Sequence, residues 1–303
     1  MARDGTYKRG MALIFAAGVL WSLMGLAIRL IGPAGTWQIL FYRSLGAAPV
    51  LFLLVSKTSG GKPFAAIGAA GWPGLVGGLG LVFAFAGAIF SMQTTSIANA
   101  VFLFGAAPLI TATLALLFLG ETARPATWVA IALATIGIFV MMREGLHLGV
   151  GLGSFAALAS AAGFAAFTVT LRWGRLNDMI PAVLIGASLA IIVSALVIVL
   201  RGESLTLPPR SIAIAMLMGV FLIGGGMMLY TTGSRAVPAA ECNLLSMVEI
   251  LLSPVWVWLI LNETATRSTL LGGAVLMSAI ALNALSGIGR AYYLPRRKKR
   301  ERA

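Results

Sequence analysis

The chain has 303 residues, of which 59% are hydrophobic and only 10% are charged, and its mean hydropathy is +0.97. A soluble domain carries about a quarter charged residues, so this composition excludes an ordinary water-soluble protein and indicates a lipid bilayer as its surroundings. The net charge of +13 does not indicate a nucleic-acid partner, because the basic residues lie in short loops and in the tail at 296–300, as is typical beside membrane spans. The single cysteine, Cys242, excludes an internal disulfide framework, and we expect no metal and no cofactor.

Ten apolar segments, each long enough to cross a bilayer as a helix, follow one another along the chain. Their approximate bounds are 11–31, 36–56, 69–91, 96–119, 126–142, 151–172, 180–200, 211–232, 239–261 and 268–288. The first follows three basic residues like a signal peptide, but no cleavage site is present and we expect a retained span. The short connections leave no room for an ATP-hydrolysing domain and no phosphate-binding loop motif occurs, so we expect that no ATPase subunit is needed.

With ten spans both termini lie on the same side of the membrane, and the charges of the loops indicate which side it is. The side shared by the termini holds 16 Lys and Arg residues, and the other side holds four. Because positively charged loops stay in the cytoplasm, we predict cytoplasmic termini in a bacterial inner membrane.

The two halves of the chain repeat each other. Leu-Gly-Glu-Thr-Ala at 119–123, closing the fourth segment, matches Leu-Asn-Glu-Thr-Ala at 261–265, closing the ninth, with an offset of 142 residues. Each half has five spans, an odd number, so the second half enters from the opposite face, as in carriers built from inverted repeats around a midplane site. The predicted divisions are a cytoplasmic N-terminus at 1–10, repeats at 11–143 and 150–288, and a basic cytoplasmic tail at 289–303.

Two motifs accompany these halves and the basic tail: Phe-Tyr-Arg at 41–43 in the second segment, and Leu-Gly-Glu at 119–121. Over about residues 10–288 the chain resembles the EamA-type branch of the drug/metabolite transporter superfamily, and within it bacterial aromatic amino-acid exporters. It departs from that pattern in the ninth segment, where Ile250 follows Glu249 in place of proline and Asn262 replaces a glycine. The resemblance implies an all-α membrane protein with ten transmembrane helices in two inverted five-helix repeats. It also implies a central cavity lined by spans one, three, four, six, eight and nine, with spans five and ten at the periphery.

Glu249 lies close to the middle of the ninth segment, where an ionisable group costs a few kcal/mol and must face protein or water. Helical spacing places Cys242, Ser246 and Ser253 on the same stripe. We predict a cavity carboxylate that holds a substrate ammonium or exchanges a proton; a paired structural carboxylate is the alternative. Asn99 and Asn243, near the starts of the fourth and ninth segments, either line an entrance or cap their helices.

Aromatic residues are numerous in the segments expected to line the cavity. If several face it, they form an apolar site suited to large neutral or cationic solutes, although phenylalanine in a span is also typical of lipid-facing and packing positions. The candidates are Trp21, Phe83, Phe102, Phe164, Phe167 and Tyr230. Trp21 is the strongest, whereas Trp256, nearer a span end, is expected in the interfacial belt.

Glycines are concentrated in the third and eighth segments, which occupy corresponding places in the two halves. We predict that these segments bend or rock to open opposite gates, and tight helix packing is the alternative explanation. The gating candidates are Gly77, Gly78, Gly224, Gly225 and Gly226. Pro108 is a further predicted kink point.

Two arginines lie within the spans. Arg29 and Arg43 could each bind a substrate carboxylate, but snorkelling or pairing with a loop acid explains them as well. No lysine lies inside a span, which argues against carriers of strongly anionic phosphates. Glu121 and Glu263, in the repeated motif, are expected to be structural.

An intramembrane enzyme would need a nucleophile and base, paired aspartates or metal-ligating histidines in the spans. The only histidine, His147, lies in a predicted loop and the spans contain no aspartate, so we predict that the protein is not an enzyme. A channel or structural subunit, and a multidrug or lipid-precursor exporter, remain as alternatives. We predict a secondary transporter that exports small amphipathic metabolites from the cytoplasm by alternating access. The resemblance implies that these metabolites are amino acids, including aromatic ones.

Overall fold

The computed structural model describes residues 2–120, 125–147, 151–174, 179–234, 236–237, 245–246 and 248–291, and every regular element within these residues is helical. In the first half the helices are α1 Ala2–Ser22, α2 Met24–Ile31, α3 Thr36–Thr58, α4 Pro63–Thr94, α5 Ile97–Phe104, α6 Ala107–Leu119 and α7 Pro125–His147. In the second half they are α8 Gly151–Trp173, α9 Ile180–Leu200, α10 Pro209–Leu217, a π-helical segment Met218–Gly225, α11 Gly226–Gly233, α12 Val248–Leu261 and α13 Arg267–Ala291.

Seven of the ten predicted segments are confirmed as helical stretches long and apolar enough to cross a membrane. They are Thr6–Ile31, Thr36–Thr58, Pro63–Thr94, Ile97–Leu119, Gly151–Trp173, Ile180–Leu200 and Pro209–Gly233. The other three positions hold shorter apolar helices, Pro125–Met141, Val248–Leu261 and Arg267–Leu282. Most of the first third of the predicted ninth segment lies outside the described residues.

Several helices are interrupted inside a predicted segment. The first is broken at Leu23, whose backbone N–H donates to the Leu20 carbonyl instead of completing an α-helical turn. The fourth is broken between Phe104 and Ala107, because Pro108 lacks an N–H and fits only in the first turn of a new helix. This break confirms the predicted kink at Pro108.

The helices approach closely at small residues, as expected where lipid removes the usual hydrophobic driving force between helices. A Cβ on Gly80 would lie 3.1 Å from the carbonyl oxygen of Gly163, so α4 and α8 are nearly in backbone contact. The helices α7 and α13 meet in the same way, since a Cβ on Gly137 would lie 3.0 Å from the backbone nitrogen of Leu276. These contacts stack the two halves against each other.

Candidate functional site

The break at Leu23 places one side of the first transmembrane stretch against the eighth. The ring centroids of Trp21 and Tyr230 are 5.6 Å apart, and a Cβ on Gly226 would lie 2.8 Å from the Trp21 indole Cδ1. Only glycine leaves room for the indole at that position. The predicted site residues Trp21 and Tyr230 and the gating candidate Gly226 are therefore brought together.

The other side of the break faces α12. The Trp256 indole Nε1 donates a 2.8 Å hydrogen bond to the Ser22 hydroxyl, which in turn donates to the Val19 carbonyl at 2.7 Å. One turn further along, a Cβ on Gly25 would lie 3.3 Å from the Ser253 hydroxyl oxygen. Trp256 thus lies at this central contact, in contrast to its expected place in the interfacial belt.

Glu249 lies on α12 between residues that contact the first stretch. It lies one turn before the buried Ser253 and is itself half-buried. Three residues earlier, the Ser246 carbonyl oxygen would lie 3.3 Å from a Cβ on Gly18. Ser253 of the predicted stripe therefore faces the first transmembrane stretch, whereas at Gly18 the nearest side chain is Val248, which lies outside the stripe. The stripe member Cys242 and the candidate Asn243 lie outside the described residues.

Arg43 is buried at the same centre. Its side chain is 1% exposed, its Cζ lies 4.3 Å from the centroid of the Phe85 ring, and its Nη1 donates to the Met24 sulfur at 3.9 Å. Its Nε has no hydrogen-bond partner among the described residues. The sequence left snorkelling or pairing with a loop acid open for Arg43, because a helical pattern does not show toward which neighbour a single charged residue points.

Arg29 and Glu263 form a polar cluster at one end of this centre. The Arg29 Nε lies 2.8 Å from Glu263 Oε2, and its Nη2 donates to the Thr95 carbonyl at 2.8 Å. Glu263 Oε1 also accepts the backbone N–H of Ile97, the first residue of α5, at 2.7 Å. A carboxylate at a helix N-terminus is favourable, so Glu263 joins three transmembrane stretches and has the expected structural role.

A family model matches the chain twice, at residues 8–143 and 151–285, and its description is EamA-like transporter family. The chain belongs to the EamA-like transporter family. An uncharacterized transporter of Vibrio cholerae serotype O1 (strain ATCC 39315 / El Tor Inaba N16961) is 28% identical over 145 residues, so the match spans 45% of this chain and less than half (46%) of that protein. A solved crystal structure of a protein has the same fold, with a TM-score of 0.64 and 19% identity over 91% of this chain and 97% of that one. The protein is thus a multi-pass membrane protein of this family.

Four predicted aromatic residues of the transporter lie away from the Trp21 and Tyr230 pair. Phe83 is 73% exposed on α4. Phe102 is buried against Gly273 of α13, and Phe167 is buried against Gly77 of α4. Phe102 and Phe167 thus occupy packing positions, which was the alternative that the sequence left open for them.

Phe164 and Asn99 also lie at helix contacts. The Phe164 ring is 43% exposed and its centroid lies 5.8 Å from that of Phe167. Asn99 is buried at the start of α5, where its Nδ2 donates to the Ser154 hydroxyl at 2.7 Å and to the Thr95 hydroxyl at 3.1 Å. Asn99 therefore ties the two halves of the transporter together.

The gating candidates are mostly tight contacts. A Cβ on Gly78 would lie 3.0 Å from Ile185 of α9, and one on Gly224 would lie 2.7 Å from the Val50 Cβ of α3. Gly225 is the open one, because the nearest atoms to its Cβ position would be 3.8 Å and 4.0 Å away. The π-helical segment ends at this glycine, and such segments are frequent at functional sites.

Proposed function

We propose that this transporter exports small amphipathic metabolites, including aromatic amino acids, from the cytoplasm by alternating access. One observation carries the proposal: three contacts beside the break in the first stretch join residues of the first half to residues of the second. Trp21 meets Tyr230, Ser22 meets Trp256 and Gly25 meets Ser253. A site between two halves is where an alternating-access carrier binds its substrate.

The proposed architecture is ten spans in two inverted repeats, at 11–143 and 150–288. The family model supports it by matching each half separately, at residues 8–143 and 151–285. The excess of Lys and Arg on the side of the termini supports a cytoplasmic location for both, in a bacterial inner membrane.

In this proposal the centre offers two kinds of surface to a solute. Trp21 and Tyr230 offer aromatic faces, which suit an apolar or aromatic side chain. Glu249, on the stripe with Ser246 and Ser253, offers a carboxylate for a substrate ammonium or for a proton. The solute passes when contacts between the halves open on one side and close on the other.

The test is counterflow in liposomes that contain the purified full-length protein. Labelled phenylalanine, tryptophan, threonine and glutamate are offered outside, with or without unlabelled amino acid inside. We expect uptake of the labelled aromatic amino acids to be saturable. Unlabelled amino acid inside the liposomes is expected to accelerate this uptake. Flux without saturation or counterflow would indicate a channel, and absence of any amino-acid flux from folded protein would favour the multidrug or lipid-precursor alternative.

Matched variants test the site within the same assay. W21A and E249Q are expected to weaken counterflow about tenfold or more, because each removes a group expected to contact the solute. W258A and E203Q are the controls, since Trp258 is 55% exposed on the other face of α12 and Glu203 lies in a loop beside Arg201. Equal losses in the control and site variants would remove the assignment of the site.

A further inference from the structure

Arg43 is a buried cation whose hydrogen-bonding capacity is largely unused. A guanidinium has five N–H donors and stays charged in proteins. Among the described residues, its one hydrogen-bond acceptor is the Met24 sulfur, a weak acceptor, and the Phe85 ring supplies a cation–π contact. No carboxylate of the described residues bonds to it, and its Nε is buried without a partner.

Arg29, in the first span, shows how this chain provides for a structural cation. Arg29 has both carboxylate oxygens of Glu263 and the Thr95 carbonyl within hydrogen-bond distance. A buried charge without a counter-ion is costly, and more costly where lipid surrounds the protein. The difference between Arg29 and Arg43 therefore points to a counter-ion for Arg43 that is supplied from outside the described residues.

The position of Arg43 connects it to the central aromatic pair. Its partner Met24 lies three residues after Trp21, on the other side of the break at Leu23. On the opposite side, the π-helical segment packs against the backbone of Arg43 through Gly219. A solute that bridges Arg43 and Trp21 would thus lie across the irregular parts of two transmembrane stretches, where helices rearrange most easily.

We propose that Arg43 binds the carboxylate of the transported solute, with the apolar remainder of the solute directed toward Trp21 and Tyr230. The proposal rests on the proposed function and narrows its substrate class to small carboxylates with an apolar group. A planar guanidinium suits a carboxylate because two parallel hydrogen bonds can form. Since Arg43 is 1% exposed here, the carboxylate reaches it only when the surrounding helices separate, so binding favours that separated arrangement.

The test measures ligand-induced thermal stabilisation of the purified full-length protein. Three probes separate the charged groups: phenylalanine, 3-phenylpropionate, which lacks the ammonium, and phenethylamine, which lacks the carboxylate. In the wild-type protein we expect half-maximal stabilisation by both carboxylates at concentrations about tenfold or more below that of phenethylamine, because a charge-assisted pair contributes that much.

Three variants decide whether Arg43 is responsible. R43Q is expected to lose the preference for carboxylates. R43K is expected to keep part of it, because lysine supplies the positive charge but not the two parallel N–H groups of a guanidinium. Without ligand, R43Q is expected to unfold at the same temperature as the wild type or higher, since it removes an uncompensated buried charge. R210Q, which changes an exposed arginine at the start of α10, is the control and is expected to behave like the wild type.

Each result either supports or overturns the proposal. Equal stabilisation by all three probes, no stabilisation by any carboxylate, or an unchanged preference in R43Q would overturn it. An unfolded R43Q together with a wild-type preference in R43K would assign Arg43 a structural role and would also overturn it. If carboxylates stabilise the protein but phenylalanine shows no counterflow, Arg43 remains the proposed anion site and amino-acid export is rejected. If phenylalanine shows counterflow but carboxylates are not preferred, amino-acid export stands and the role of Arg43 is rejected.

Discussion

The contact between Trp21 and Gly226 makes a sharp prediction, because the next glycine provides a matched control. A Cβ on Gly226 would lie 2.8 Å and 2.9 Å from two carbons of the Trp21 indole, whereas ordinary contact begins at 3.4 Å. In G226A the indole must therefore retreat by more than half an ångström. A Cβ on Gly225 would meet no atom closer than 3.8 Å, so G225A leaves the indole in place.

The expected magnitude combines two opposing effects. Overpacking typically costs about 1–3 kcal/mol, and replacing a helical glycine with alanine contributes up to about 1 kcal/mol of stability. G225A has only the stabilising effect of alanine in a helix, whereas G226A has this effect and the cost of overpacking. We therefore expect the free energy of unfolding of G226A to be about 1–3 kcal/mol lower than that of G225A.

Reversible unfolding of both variants in one detergent measures this difference. The cause is tested on a W21A background, where the indole is absent and the two alanine variants are expected to have the same stability. Equal stability of G225A and G226A with Trp21 present would refute the contact, and an unequal pair on the W21A background would show that another atom causes the cost.

Three further predictions concern other contacts of the centre. E263Q and R29Q are each expected to lower the free energy of unfolding by about 1–2 kcal/mol, because each side chain is about a quarter exposed, which limits the loss. The double variant is expected to lose little more than either single variant. Additive losses in unfolding measurements would show that the two residues do not act as a pair. F167A is expected to cost about 3 kcal/mol or more and F83A about 0.5 kcal/mol or less, because the Phe167 ring is buried and the Phe83 ring is exposed; equal losses in the same measurement would contradict these two positions. E249Q is expected to remove the pH dependence of counterflow, and an unchanged pH profile would exclude a proton-exchanging role for Glu249.

The membrane-embedded fold could be predicted from composition, because apolar length leaves few other structures open to such a chain. Pro108 also predicted its own break, since the missing N–H acts locally. The break at Leu23 could not be predicted in this way, because no proline or glycine marks that position in the sequence. It follows from contacts on both sides, with Trp21 held by the eighth stretch and Ser22 by Trp256.

The site was harder to predict than the fold because helical spacing identifies a face without identifying its neighbour. Trp21 and Tyr230 could be named as candidates, but their contact depends on how distant stretches pack. Phe83 and Phe85 are two residues apart on α4, yet Phe83 is exposed and Phe85 lies beneath the Arg43 guanidinium. The same limit applied to Arg43, whose burial depends on three other helices. The sequence shows only that Arg43 is a charged residue inside a span. That its Nε has no partner among the described residues is visible only in the structure.

The kinds of contact between the halves indicate which of them can change during transport. The α4 and α8 contact includes small residues such as Gly80 and Gly163 and the buried Phe167 ring, with a buried hydrogen bond from Ser160 to the Ala84 carbonyl. Such a surface can slide without leaving many polar groups unpaired. The Arg29 and Glu263 cluster is different, because its separation exposes several charged and backbone groups at once. If the cluster stabilises the closed arrangement by about 2 kcal/mol, its loss would lower the closed-to-open ratio about thirtyfold. A solute that binds the open arrangement about thirtyfold more tightly than the closed one is therefore sufficient to offset the opening of this cluster.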